Sequence, residues 1–303
     1  MELIRSRDWY STSDGSDRGY IRPHILKELW FHTGTACNLS CDFCLEGSGP
    51  GDKRLELVKL DDVTPYIHSA IELGVQQFSF TGGEPFLAKD LIKILKLASQ
   101  YAPCLVLTNG TDALQKRLHQ LDELKGSKFP VSFRVSVDSP IEEVHDAGRG
   151  EGMFESALTG MKALHDRGFH VSLARHMADG ENTAVIEQQY RDELANRGIP
   201  EDTHFVAFPD FLPPNSDGSG PDISTNCMTQ FHTEESRRSF MCAFSKMVVK
   251  QKGRMRVYAC TLVDDDPEYD LGDDLGQALE QQISMKHHRC FSCFKYGSSC
   301  SET

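Results

Sequence analysis

Val63-Thr64-Pro65-Tyr66-Ile67-His68-Ser69-Ala70-Ile71-Glu72-Leu73-Gly74-Val75-Gln76-Gln77-Phe78-Ser79-Phe80-Thr81 contains a helix, its stop signal and a strand. Ile67, Ala70, Ile71 and Leu73 recur at the three-to-four spacing that lines one helix face. Gly74 follows, where a left-handed C-cap is expected, and Gln77–Thr81 is a short run with strand character. The same rhythm extends in both directions. Strand-like runs occur at Leu29–His32, Leu105–Thr108, Ser132–Val137, His170–Ala174 and His204–Phe208. Helical stretches fill the intervals at Leu91–Ser99, Ala113–Leu124, Phe154–Arg167 and Ala184–Arg197, with Gly168 and Gly198 just past two of them. Six βα units with short connections predict an α/β fold with a parallel sheet covered by helices, either a barrel or an open doubly wound sheet. A full eight-stranded barrel needs two more units than the chain supplies.

The rhythm stops after Phe208. Pro209, Pro213, Pro214 and the stretch Asn215 to Gly220 form a boundary loop. One hairpin, Lys246–Lys250 and Met255–Ala259 around Lys252-Gly253, and a cysteine-rich tail follow. The expected organisation is an irregular lead-in over 1–23, a core over 24–215 and a small domain over 216–303. The 303 residues, 39% hydrophobic and 25% charged, are those of an ordinary globular protein. No apolar run approaches the roughly 20 residues of a membrane span, and the N-terminus has no secretory h-region. The expected location is therefore the cytoplasm, with no membrane partner. A net charge of −13 disfavours a nucleic-acid partner, whose binding rests on Lys and Arg. Without a signal peptide, ten cysteines read first as metal or catalytic thiols.

Cys37, Cys41 and Cys44 form C-x3-C-x2-C in the loop after the first strand. A structural zinc wants four closed ligands, and the nearest candidate for a fourth, His32, is expected on the strand. A cubane held by three cysteines instead leaves one iron open to a reacting ligand. Cys37-Asn38-Leu39-Ser40-Cys41-Asp42-Phe43-Cys44 resembles the signature of the radical S-adenosylmethionine (SAM) superfamily. Thr81-Gly82-Gly83-Glu84-Pro85 matches its Gly-Gly-Glu-Pro segment. Thr108-Asn109-Gly110, Ser136-Val137-Asp138 and His145 to Phe154 with Arg149-Gly150 follow in the order usual there. The resemblance covers most of the chain and implies a partial (β/α)6, TIM-like barrel. It implies SAM and a [4Fe–4S] cluster on Cys37, Cys41 and Cys44. Phe43, Gly82, Gly83, Glu84, Asn109, Ser136, Asp138 and Arg149 are the implied SAM contacts, with Glu84 and the glycine backbone at the methionine amino group. For Arg149 a structural salt bridge competes with this role, and Asn109 equally suits a turn.

Cys242 and Cys260 flank the hairpin, and Cys290 and Cys293 follow as C-x2-C. This resembles the twitch form of the SPASM/twitch branch, which implies a C-terminal auxiliary-cluster domain with Cys242, Cys260, Cys290 and Cys293 on one auxiliary [4Fe–4S] cluster. Full SPASM needs more ligands than the six cysteines of 216–303 supply. Six residues from Gly253 to Cys260, a longer gap than usual, and an unpartnered Cys300 depart from the pattern. A zinc site of four thiolates is the alternative. Cys104 begins a strand and reads as a core residue, and Cys227 is unassigned. The acidic run Asp264 to Asp274 reads as a solvated loop, with attraction of a basic substrate as the sharper alternative. His287-His288 reads as an exposed helix end. Arg175, His176, Asp210, Tyr258 and Tyr296 are candidates for facing the substrate, and no catalytic residue is assigned.

The resemblance implies an enzyme that reductively cleaves SAM to a 5′-deoxyadenosyl radical and abstracts a substrate hydrogen, drawing electrons from an external flavodoxin- or ferredoxin-like reductant. An auxiliary cluster favours a net oxidation. The lead-in is too short for a peptide-recognition domain, which tilts the expected substrate toward a small metabolite, with a ribosomally made peptide close behind. An iron–sulfur electron carrier or cluster-handling protein, and a zinc-stabilised binding module, are the readings from other classes.

Overall fold

The computed structural model describes residues 5–177, 180–209 and 220–297. Its spine is an eight-stranded sheet of β1 (Glu28–His32), β2 (Gln77–Thr81), β3 (Cys104–Thr108), β4 (Val131–Ser136), β5 (His170–Met177), β6 (Phe205–Pro209), β7 (Ser245–Gln251) and β8 (Arg254–Tyr258). From β6 to β1 the strands stand in sequence order, each parallel to its neighbour. This is the expected partial (β/α)6 barrel. Strands covered on both faces carry near-continuous apolar runs, and Leu29, Trp30, Phe31, Phe78, Phe80, Leu105, Val106, Phe133 and Val135 are all buried.

The helices supply the cover. Leu60–Glu72 buries Val63, Ile67 and Ala70, and Met153–Asp166 buries Phe154, Ala157, Leu158, Met161 and Leu164. Gly74, Gly168 and Gly198 end three helices at positive φ, as expected. Among the described residues, no helix is long and apolar enough to cross a membrane.

Local structure departs from the sequence reading in two places. The single helix expected over Ala113–Leu124 is a turn of α-helix at Asp112–Gln115 and a 3-10 segment at Leu118–Leu124. Between them Arg117 donates to the carbonyls of Phe86 (2.9 Å), Ala88 (2.7 Å) and Lys89 (3.1 Å). Three charge-assisted bonds to the loop after β2 outweigh continuation of a helical ladder. A further helix, Glu142–Arg149, buries only His145 and so lacks the apolar stripe that would announce it.

The hairpin forms β7 and β8, and β7 lies parallel to β1, with Glu28 opposite Ser245 and Phe31 opposite Val248. The C-terminal segment therefore continues the barrel sheet. The boundary loop expected around residue 216 lies outside the described residues. The lead-in is mostly irregular but anchored. Tyr20–Ile21 pairs with Ile283–Ser284, Trp9 packs on Tyr269 at 5.0 Å, and Arg18 meets Asp222 at 2.8 Å.

Candidate functional site

The C-terminal ends of β1 to β6 open on a cavity of about 200 Å³. Cys37, Cys41 and Cys44 line it from the loop after β1. Leu39 N–H and Ser48 N–H each donate to a thiol sulfur, Cys37 Sγ and Cys44 Sγ, at 3.4 Å. Such donors suit thiolates. Burial pushes the Cys37 thiol up to about 11, and the neighbouring Glu84, Cys41 and Cys44 add to it. Burial also raises Cys41, against the pull of Arg149. Thiols held this high ionise when a cation takes the proton's place, so the trio fits a metal centre.

His32 is no fourth ligand here. Gly34 N–H donates to its Nδ1 at 3.2 Å, which leaves the proton on Nε2, 2.9 Å from Glu46 Oε2. Burial opposes the charged imidazole, but Glu46 outweighs it and raises the pKa of His32. Among the described residues the trio thus stands as three sulfurs facing an open cavity.

Phe43, Gly82, Gly83, Asn109, Ser136, Asp138 and Arg149 also line the cavity, so the structure brings seven of the eight expected contacts together. Glu84 stands behind the wall. Its Oε1 accepts from Thr108 Oγ1 (2.9 Å) and Phe86 N–H (3.1 Å), and its Oε2 from Asn109 N–H (2.8 Å). Burial raises it to about 7 despite these bonds. The carboxyl ties the end of β2 to that of β3.

The glycines answer a need of the protein's own backbone. A Cβ on Gly83 would sit 2.4 Å from the Ala36 carbonyl oxygen, and one on Gly82, at φ +134°, 2.7 Å from that of Gly34. Their absence lets the segment after β2 seat against residues 33–36, with Gly83 N–H on Gly34 O and Glu84 N–H on Ala36 O. Both competing readings for the polar contacts are realised. Arg149 forms a two-point ion pair with Asp138, one bond at 2.9 Å, while lying 5.7 Å from the Phe43 ring centroid. Burial disfavours its charge, but Asp138 more than compensates and raises its pKa. Asn109 closes a turn by accepting from Thr111, and its amide donates to Asn38 Oδ1 at 3.0 Å.

Cys242, Cys260, Cys290 and Cys293 lie near one another, Cys242 buried just before β7 and the other three partly exposed, none in a disulfide. Burial raises Cys242, Cys290 and Cys293; Cys290 and Cys293 add to the effect at Cys242, as Cys260 and Cys293 do at Cys290. Four neighbouring thiols, Cys242 buried and the other three partly exposed, fit a four-sulfur metal site. Cys227 bonds Ser224 Oγ at 3.3 Å, Cys104 is buried in β3 as a core residue, and Cys300 lies outside the described residues.

Several residues were not foreseen. Glu46 and Ser48 reach the cavity from just beyond the trio, and Thr261 and Leu262 from just after Cys260. A place within four residues of a candidate ligand cysteine was the available signal. Arg175 and His176 line the cavity as expected, Tyr258 and Tyr296 do not, and Asp210 lies outside the described residues. Most of the acidic run is not a solvated loop, since only Asp273 and Asp274 of its acids are exposed. Asp266 and Asp270 pair with Lys286 (3.0 Å) and Arg256 (2.8 Å), and Asp264 lies against His32 and Glu46. Nor are the histidines exposed, because His287 is buried, 3.0 Å from Asp265, and stacked on His288 at 4.4 Å. Arg289 bridges the two cysteine regions through the carbonyls of Leu45 (2.9 Å) and Leu262 (3.1 Å).

Comparison with known proteins agrees with this geometry. The model of the Radical SAM superfamily matches residues 31–191. The antilisterial bacteriocin subtilosin biosynthesis protein AlbA of Bacillus subtilis is 32% identical over 54% of this chain and 35% of its own length. The mycofactocin maturase MftC of Mycolicibacterium smegmatis is 28% identical over 59% of this chain and 41% of its own. A probable GTP 3′,8-cyclase of Aeropyrum pernix is 31% identical over 54% and 46%. The chain thus spans less than half the length of these relatives. Streptococcus suis SuiB bound to SAM shares the fold, with a TM-score of 0.63, 14% identity and coverage of 85% of this chain and 66% of that one.

Proposed function

The chain belongs to the radical SAM superfamily, whose members use a [4Fe–4S] cluster and SAM, and from that premise we propose that it is an oxidative enzyme of the SPASM/twitch branch acting on a peptide. The observation that carries the reading is the meeting of Cys37, Cys41 and Cys44 with six strand ends in one cavity. Cys37, Cys41 and Cys44 would hold the first cluster, and Cys242, Cys260, Cys290 and Cys293 an auxiliary one. When bound, these groups and SAM supply a carbon radical that takes a substrate hydrogen, and a sink for the electron left behind.

The chain's own residues bind and orient. Asp138 and Arg149 present a fixed pair of opposite charges to an amino-acid headgroup, and Asn109 and the 82–83 backbone offer polar atoms beside it. Phe43 and Leu39 narrow the water-accessible space near the thiols, which protects a reactive intermediate. Glu46, with its hydrogen-bonded partner His32, presents a carboxylate to the cavity from just beyond the trio.

A peptide substrate is favoured by relatives named for bacteriocin biosynthesis and mycofactocin maturation, and by a SuiB structure with its precursor peptide. The GTP 3′,8-cyclases favour the second reading, a small metabolite. Anaerobically reconstituted protein, given SAM and dithionite, is expected to release 5′-deoxyadenosine. A colourless protein releasing none would favour a zinc module, and a coloured one releasing none an electron carrier.

A further inference from the structure

Lys246 is completely buried near the start of β7, four residues beyond Cys242. Its Nζ donates to two carbonyls, Cys242 O at 2.8 Å and Ser245 O at 2.9 Å. Among the described residues no carboxylate lies within ion-pair distance of it, and the neighbouring groups that would carry an opposite charge once ionised are the sulfurs of Cys242 and Cys260.

A buried, unpaired ammonium is costly, and proteins tolerate one where a nearby anion balances it. Packing offers no reason for a lysine here. Lys246 faces Leu29 in register and is followed by Met247, Val248 and Val249, all fully buried. A leucine or methionine would fill an interior strand position of this kind without the charge. The missing anion is implied by the neighbouring thiols. A [4Fe–4S] core on four thiolates carries a net negative charge that grows on reduction, and local charge is one of the levers on its potential.

We propose that Lys246 is the counter-charge of the C-terminal cysteine quartet, balancing an anionic cluster there and raising its reduction potential so that it accepts an electron readily. This rests on the reading that the quartet holds an iron–sulfur cluster. The charge favours the reduced state because that state is the more negative. Leu262 N–H, 3.4 Å from Cys260 Sγ, and the Tyr269 hydroxyl, 4.0 Å from Cys290 Sγ, are further dipoles acting on those two sulfurs. Lys246 adds a whole charge to them.

The test is an EPR-monitored redox titration of the reconstituted full chain, comparing wild type with Lys246→Met and Lys246→Arg. The auxiliary signal is identified in protein carrying Ala at positions 37, 41 and 44. In Lys246→Met, with iron and sulfide retained, the auxiliary midpoint should fall by an amount equal to about a tenfold loss in electron affinity, which is about 59 mV for a one-electron couple. The signal from the trio should hold its potential, and Lys246→Arg should stay close to wild type. An unchanged auxiliary midpoint in a fully loaded Lys246→Met protein overturns the proposal. If the Met variant sheds its auxiliary iron, the Arg variant decides. Retention there at the wild-type potential supports the charge, and loss in both shows that the site needs the lysine's shape instead. Wild-type protein holding a single cluster overturns the reading of the quartet, and this inference with it, before any potential is measured.

Discussion

The two cysteine groups share an element and differ in surroundings. The N-terminal trio sits in a loop at a cavity mouth, with Phe43, Asp138 and Arg149 facing the same space. The C-terminal quartet lies beside the sheet away from that cavity, Cys242 buried and the others partly exposed, and burial is the largest cause of the raised thiols of Cys242, Cys290 and Cys293. An incomplete donor set facing a cavity leaves room for a reacting ligand. A complete set of four leaves no such room and suits electron storage.

The sharpest way to break that contrast is to remove the trio. Replacing Cys37, Cys41 and Cys44 by Ala should abolish 5′-deoxyadenosine formation and leave about half of the iron, because each cubane holds four irons. Loss of all iron would show that the two sites load as one. Replacing Cys290 and Cys293 by Ala should do the converse, with 5′-deoxyadenosine still formed and substrate product lost. Product formation at the wild-type rate would make the quartet merely structural.

A smaller effect is expected at the seam between the segment after β2 and the trio's loop. Gly83→Ala places a methyl 2.4 Å from the Ala36 carbonyl oxygen, which should cost about 1–3 kcal/mol in a urea melt, as overpacking generally does. It should disturb the trio's signal more than the quartet's. The smallest change is Arg149→Lys, which keeps the charge and loses the two-point geometry toward Asp138. SAM affinity by equilibrium binding should fall roughly tenfold, as expected for losing a charge-assisted bond. Equal affinity would confine Arg149 to a structural pairing with Asp138.

Much of this contrast is legible in the sequence. The strand ends are readable because apolar runs and glycine stops alternate, and C-x3-C-x2-C is compact enough to announce a shared centre. The helix Glu142–Arg149 is not readable, since Glu142, Glu143, Asp146 and Arg149 give it no apolar stripe and tertiary bonds hold it. Arg117 breaks an otherwise good helical pattern through partners nearly thirty residues away. The surroundings of Glu84 are hidden for a related reason. A buried carboxyl and a ligand-facing one look alike until its three donors, Thr108, Phe86 and Asn109, are in place. The ion pairs of the acidic run are equally hidden, because Arg256 and Lys286 lie apart from it along the chain.

The register of β1 against β7 has a consequence for biosynthesis. The first strand of the sheet cannot acquire its second neighbour until Ser245–Gln251 has left the ribosome, more than two hundred residues later. Until then Leu29, Trp30 and Phe31 form an open edge able to recruit other chains. Nascent protein should therefore need shelter from aggregation until the later strand is made.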